Sequence, residues 1–203
     1  MPFQPIDPQR FAAIILAAGA SRRMGTNKML LELDGETLVR RAARRARSAG
    51  LSPIIVVVGY EPERVEAALD GFTCEFAINP DFTGPTSASL HKGLEQVPAD
   101  AAGAVVILGD MVHVTAEMLR AVVDAARTST APLVVSHYGD VTAPPILYRR
   151  SLFDELRAWH GEGCGKAVVQ AHITEAHVCD WPVSALTDAD TPEDFAAIAR
   201  PND

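Results

Sequence analysis

The chain is expected to fold as one α/β domain, a doubly wound, mostly parallel sheet with helices on both faces. Two observations carry this expectation. Short apolar runs alternate with helix-like segments from residue 11 to about residue 135, the rhythm of a parallel sheet with crossover helices. A length of 203 residues suits one sizeable core, or at most two small ones.

Residues 1–10 are polar and proline-containing and read as a lead-in, leaving 11–200 as the domain. Phe11 to Ala17 is a buried strand and Ala18 to Lys28 a loop. Glu36 to Ala49 is a helix ending at Gly50, crowded with Arg40, Arg41, Arg44, Arg45 and Arg47, which suit a solvated face. Ile54 to Val58 is β-branched throughout and forms a strand. Pro62 opens the next helix, Cys74 to Ile78 gives a strand, and Thr86 to Gln96 a helix. Ala104 to Leu108 is the fourth strand, and Thr115 caps a helix through Ala126. Leu133 to Val135 is a further strand, Pro144 to Tyr148 is extended, and Ser151 caps a helix. Residues 166–171 form a short helix, Ala176 to Cys179 a late strand, and Thr191-Pro192-Glu193-Asp194 opens the last helix. Segment 136–185 breaks the alternation and suits antiparallel edge structure.

With 26 acidic and 18 basic residues the net charge is −8, which disfavours a nucleic-acid surface, because phosphate contacts need a basic patch. A small phosphorylated substrate stays compatible, since a few placed cations can bind it. Cys74, Cys164 and Cys179 are odd in number and widely spaced, so neither a disulfide framework nor a CxxC metal site is expected. Cys74 and Cys179 read as core residues. No signal peptide or membrane-length apolar run is found, and the expected location is the cytoplasm.

Ligands of doubly wound sheets bind beyond the C-terminal strand ends, so the loops after 17, 58, 79 and 109 are the places to search. The first, Leu16-Ala-Ala-Gly-Ala-Ser-Arg-Arg-Met-Gly-Thr-Asn-Lys28, runs from a buried strand through small residues to Arg22, Arg23 and Lys28. Small residues let backbone N–H groups approach phosphate, and the three cations can neutralise a triphosphate. The Walker spacing and GxGxxG are both absent, which removes the main support for a kinase or a dinucleotide oxidoreductase. Asp110 ends the fourth strand, where a carboxylate can meet a hard cation, and Asp188 and Asp190 share a face if extended.

The first loop resembles the signature of the molybdenum-cofactor nucleotidyltransferases, whose fold is of the nucleotide-diphospho-sugar transferase type. The resemblance extends over roughly residues 11–200. It implies that Leu16, Ala17, Ala18, Gly19, Ser21, Arg22, Arg23 and Lys28 surround a nucleoside triphosphate, with Lys28, Arg23 and Asp110 as the catalytic groups. Asn79, Gly84 and Ser87 match nucleotide-contacting positions of the family, although Gly84-Pro85-Thr86-Ser87 departs from its usual Gly-Met-Ser. Asp110, with Asp190 and then Asp188, is the implied Mg2+ ligand set. The family's Gly-Asp-x-Pro continues here as Met111-Val112-His113. Acceptor-binding segments of the family match His137 to Tyr148 and Leu156 to Ala167, which implicates Gly139 and Lys166, and His113 is a further acceptor candidate. Glu162 stands where an aspartate is common.

The family's Ala-Ala-Gly form, Ala17-Ala18-Gly19, implies cytidylyl transfer from CTP to molybdopterin. Guanylyl transfer and a sugar phosphate or other phosphorylated acceptor are the alternatives. A non-catalytic binding or insertion partner of a molybdoenzyme is the reading from another class. Transient contact with a molybdoenzyme or its maturation factor would accompany the molybdopterin reading.

Overall fold

The computed structural model describes residues 9–21, 24–163, 165–187 and 191–198. Its centre is a seven-stranded sheet of β1 (Phe11–Leu16), β4 (Ile54–Val58), β5 (Glu75–Ile78), β6 (Gly103–Leu108), β7 (Leu133–Tyr138), β8 (Val141–Arg149) and β9 (His177–Trp181). The order is β5-β4-β1-β6-β8-β7-β9. β8 pairs antiparallel with both β6 and β7, and the other pairings are parallel. The late segment therefore breaks the alternation because β8 inserts against the strand direction between β6 and β7. A separate hairpin, β2 (Glu32–Leu33) and β3 (Glu36–Thr37), precedes the first helix.

Helices cover both faces because side chains alternate along the strands. From β1, Phe11, Ala13 and Ile15 join one core with α1 (Leu38–Ser48) and α4 (Ala116–Thr128). Ala12, Ile14 and Leu16 join the other with α3 (Thr86–Glu95), α5 (Phe153–Ala158) and α6 (Lys166–His172). The short α2 (Pro62–Ala67) adds Val65 to the first core. In α7 (Pro192–Ile198), Phe195 and Ile198 pack over Leu33, Leu38 and Val112.

Several boundaries differ from expectation. Glu36 and Thr37 are hairpin, not helix: Asp34 and Gly35 take positive φ values of 56° and 76°, the turn an Asp-Gly pair favours. Ser151 lies inside a single 3-10 turn, Arg150–Leu152, and caps nothing; that turn runs straight into α5. The α1 arginines are not simply solvated. Arg40 donates to Ala68 O and Asp70 O, Arg44 pairs with Glu36, Arg45 donates to Val112 O, and Arg47 stacks over Phe72. Cys74 and Cys179 are half-buried at the core margin, where burial raises both thiol pKa values; Cys164 lies outside the described residues. Among the described residues no helix is long and apolar enough to cross a membrane.

Candidate nucleotide site

The chain reverses its direction of winding between β1 and β6: β4 and β5 lie on one side of β1, and β6 lies on the other. Loops diverge there and leave a crevice at the carboxyl ends. A cavity of about 240 Å3 occupies it, walled by Leu16, Ala17, Ala18 and Gly19 after β1, by Lys28 and Met29, by Phe82, Gly84, Thr86 and Ser89, and by Leu108 and Asp110 after β6.

Lys28 reaches this wall through Asn27. The Asn27 side chain is buried; its Oδ1 accepts from Met29 N at 3.1 Å, capping a 3-10 turn, and its Nδ2 donates to Tyr60 O at 3.0 Å. Ser21 Oγ accepts from Lys28 N at 3.1 Å. Asp110 is set by the strand end: Gly109 N donates to Leu16 O at 3.2 Å, and a side chain at Gly109 would stand 2.6 Å from Met29 Sδ. The two anchored segments bring Lys28 Nζ onto Asp110 Oδ2, with the side chains 18% and 13% exposed. Water screens such a pair less than a surface pair, so both charges act strongly inside the cavity.

The expected residues divide by placement. Leu16, Ala17, Ala18, Gly19, Lys28, Gly84 and Asp110 meet in the cavity wall. Ser21 is not in that wall and bonds to Lys28 N. Asn79 and Ser87 are buried and absent from that wall. Asn79 Nδ2 donates to Ser89 Oγ at 2.9 Å and its Oδ1 accepts from Asp81 N at 3.0 Å, while Ser87 Oγ accepts from Gly161 N at 3.0 Å. At Gly84 a Cβ would meet the Asp81 carboxylate at 2.6 Å, a contact that the exposed Asp81 side chain can relieve by rotating. Arg22, Arg23, Asp188 and Asp190 lie outside the described residues.

Met29, Phe82, Thr86 and Ser89 also line the cavity and were not singled out from the sequence. Helical spacing carries the missing signal for two of them. Thr86 and Ser89 are three apart and share a face, whereas Ser87, Leu90 and Leu94 form the buried stripe.

A second, larger cavity of about 550 Å3 adjoins the first at Leu108. Its wall is mostly apolar, with Asp140, Thr142, Lys166 and Gln170 as polar groups. Ser136 Oγ and Tyr138 Oη donate to Pro145 O and Pro144 O at 2.7 and 2.8 Å, fixing this part of β8 beside a register shift in β7. Lys166 lies in that wall, and Gly139 sits in the β7–β8 turn next to it. His113 lines neither cavity. Partial desolvation, then the positive charges of Arg45 and Arg41, hold its imidazole below the usual histidine range.

Asp110 presents a hard oxygen donor where an ammonium already rests, which suits a divalent cation completed by phosphate oxygens and water. Among the described residues no group of three His, Cys, Asp or Glu side chains gathers to hold a metal alone.

Residues 13–177 match the family model described as the MobA-like NTP transferase domain. The chain belongs to that family. The chain is 40% identical over 127 residues to Bifunctional protein GlmU of Anaeromyxobacter dehalogenans, covering 59% of this chain and only 26% of that relative. Purine catabolism protein PucB of Bacillus subtilis is 29% identical, covering 92% of this chain and 95% of its own length. A Synechococcus elongatus protein named Probable molybdenum cofactor guanylyltransferase is 27% identical, covering 93% and 97%. Among solved structures, Rv0371c of Mycobacterium tuberculosis superposes with a TM-score of 0.84 at 26% identity, covering 95% of this chain and 98% of that one. The same protein has been solved in complex with manganese, with a TM-score of 0.80 at 25% identity, covering 94% of this chain and 98% of that one.

Proposed function

We propose that the chain is a Mg2+-dependent nucleotidyltransferase that binds its triphosphate in the smaller cavity and its phosphorylated acceptor in the larger one. The observation that carries this reading is the Lys28–Asp110 pair, set in a small-residue crevice between β1 and β6. An acceptor phosphate oxygen attacks the α-phosphorus, the bond from that phosphorus to the bridging oxygen breaks, and pyrophosphate leaves with the electron pair. The acceptor is already an anion, so the site needs no dedicated base. Lys28 exchanges Asp110 for the α-phosphate and stabilises the charge that gathers there. Backbone N–H groups near Gly19 cradle the remaining phosphates. Mg2+ held by Asp110, with Asp190 or Asp188 as further ligands, would screen the attacking and leaving oxygens. Lys166 would receive the acceptor's anionic group, and the apolar wall its body.

Ala17-Ala18-Gly19 favours CTP as donor and, through the family resemblance, molybdopterin as acceptor. Contact with a molybdoenzyme or its maturation factor follows only if that acceptor is right. A second reading, guanylyl transfer or another phosphorylated acceptor, draws on the relatives: their differing names support the shared chemistry more strongly than any single acceptor. The test is pyrophosphate release with Mg2+ and CTP, GTP or ATP, each offered with molybdopterin or a sugar 1-phosphate. CTP-dependent release with molybdopterin supports the first reading. Preference for GTP or the sugar phosphate selects the second. Release with no pair, from folded protein, counts against transferase action on either acceptor class.

A further inference from the structure

The two cavities are joined by a set of bonds that the proposed chemistry does not itself use. Thr86, in the nucleotide-side wall, donates its backbone N–H to Glu162 Oε2 at 3.1 Å, and its hydroxyl donates to the same oxygen. One residue on, Ser87 and Gly161 bond reciprocally: Ser87 N to Gly161 O and Gly161 N to Ser87 Oγ, both at 3.0 Å. A turn further, His91 Nε2 lies 2.9 Å from Leu156 O and 3.0 Å from Trp159 O. Since both partners are carbonyls, that nitrogen carries the proton. The His91 and His160 rings meet almost at right angles, 5.3 Å apart. The segment tied down in this way continues to Gly163 and Lys166 in the wall of the larger cavity.

These contacts differ in what they can do. The Ser87 and His91 bonds satisfy inward-facing groups and hold α3 to the end of α5. Glu162 is exposed and need not be there to fill a core; an alanine would leave water to satisfy Thr86. Its carboxylate instead takes the first-turn donors of a ten-residue helix, where negative charge is favoured. Those donors belong to a residue that a bound triphosphate would touch.

We propose that Glu162 is a positioning residue: through Thr86 it couples the acceptor-side loop to the nucleotide-side helix, so that filling one cavity alters the other. The proposal rests on the smaller cavity being the nucleotide site. Coupling of this kind is reciprocal, so the acceptor changes nucleotide affinity by the same factor as the reverse.

Trp159 is a built-in reporter, because it lies in the tied segment and the chain has only two tryptophans. Trp181→Phe leaves it as the sole indole. In that background the experiment measures acrylamide quenching of Trp159 while Mg2+ with CTP, GTP or ATP is added, with calorimetry on the same samples. At least one nucleotide is expected to bind and reduce quenching. Glu162→Ala and Thr86→Val should each abolish the reduction and weaken that nucleotide by roughly 3–10-fold, with the double variant no worse than either. Glu162→Gln keeps an acceptor oxygen and should restore both readouts to within about twofold of the parent. Three results would overturn the coupling: quenching that ignores bound nucleotide, Glu162→Ala that responds like the parent, or additive losses in the double variant. If calorimetry detects no heat with any nucleotide, the nucleotide-site reading falls and the coupling falls with it. Heat without a change in quenching removes the coupling alone.

Discussion

The smaller and larger cavities meet at Leu108 but are built differently. The smaller one is shaped by main chain. Buried β1 and β6 deliver their loops to fixed heights, Asn27 and Ser21 fasten the Lys28 turn, and Gly109 admits Met29 beside Asp110. The larger one is shaped by side chains on β8 and α6, with Lys166 its principal cation. On the proposed function, the contrast teaches where each part of the site is constrained. Charge stabilisation needs groups fixed before the substrate arrives, whereas an acceptor pocket can change shape with its lining. This fits a family whose relatives carry different names on a shared fold.

The contrast can be broken by substitutions. The largest effect is expected at the charged pair: Lys28→Met and Asp110→Asn should each lower turnover by about 10²–10³-fold, with circular dichroism and the melting midpoint near the parent's. An effect below tenfold would place the chemistry elsewhere. Asn27→Ala leaves Met29 N and Tyr60 O without their bonds and should cost about 1–3 kcal/mol of stability, read by urea unfolding, while also displacing Lys28. On the other side of Leu108, Lys166→Met should raise the acceptor KM about tenfold and leave kcat within about threefold, because it removes binding made equally in ground and transition states. Equal losses at Lys28 and Lys166 would erase the distinction.

Smaller effects concern the frame. Thr191 Oγ1 accepts from Asp194 N at 3.1 Å and Asp194 returns a bond to Thr191 N, so Thr191→Ala should cost about 1 kcal/mol of local stability, seen as faster amide exchange in α7. His172 bonds to Glu155 and Glu175, which raise its pKa above the usual histidine value. Protonation therefore adds stability that is fully present below about pH 6.5 and lost as pH rises through the raised value. Exposure limits the gain to at most about 1 kcal/mol, and His172→Gln should flatten that part of the pH–stability curve.

Some of this was readable in advance, for identifiable reasons. A buried strand followed by Ala-Ala-Gly and cations marks the first loop, and Gly109-Asp110 marks the fourth strand's end, because both signals are local. The Thr191 cap at the start of α7 is a local signal of the same kind. The direction of a polar side chain is not local. Asn79 and Ser87 bond to Ser89, Asp81 and Gly161, the last lying 74 positions from Ser87, and no local pattern gives those partners. His113 stands near Asp110 in sequence, yet Arg45, which donates to Val112 O at 2.8 Å, ties that stretch to α1. Burial and the neighbouring Arg41 and Arg44 lower the Arg45 pKa to about 10, so it remains a cation at neutral pH. The β2–β3 hairpin was hidden because its second strand runs without a break into the helical pattern of α1.

The proposed function requires a metal-bound triphosphate to meet Lys28 and Asp110. Water proton relaxation with Mn2+ as the probe tests that meeting directly. With CTP or GTP, the parent protein should enhance relaxation beyond the metal–nucleotide complex alone, and Asp110→Asn should lose most of that enhancement while keeping its melting midpoint. Full enhancement in Asp110→Asn would contradict the account and place the metal on other residues.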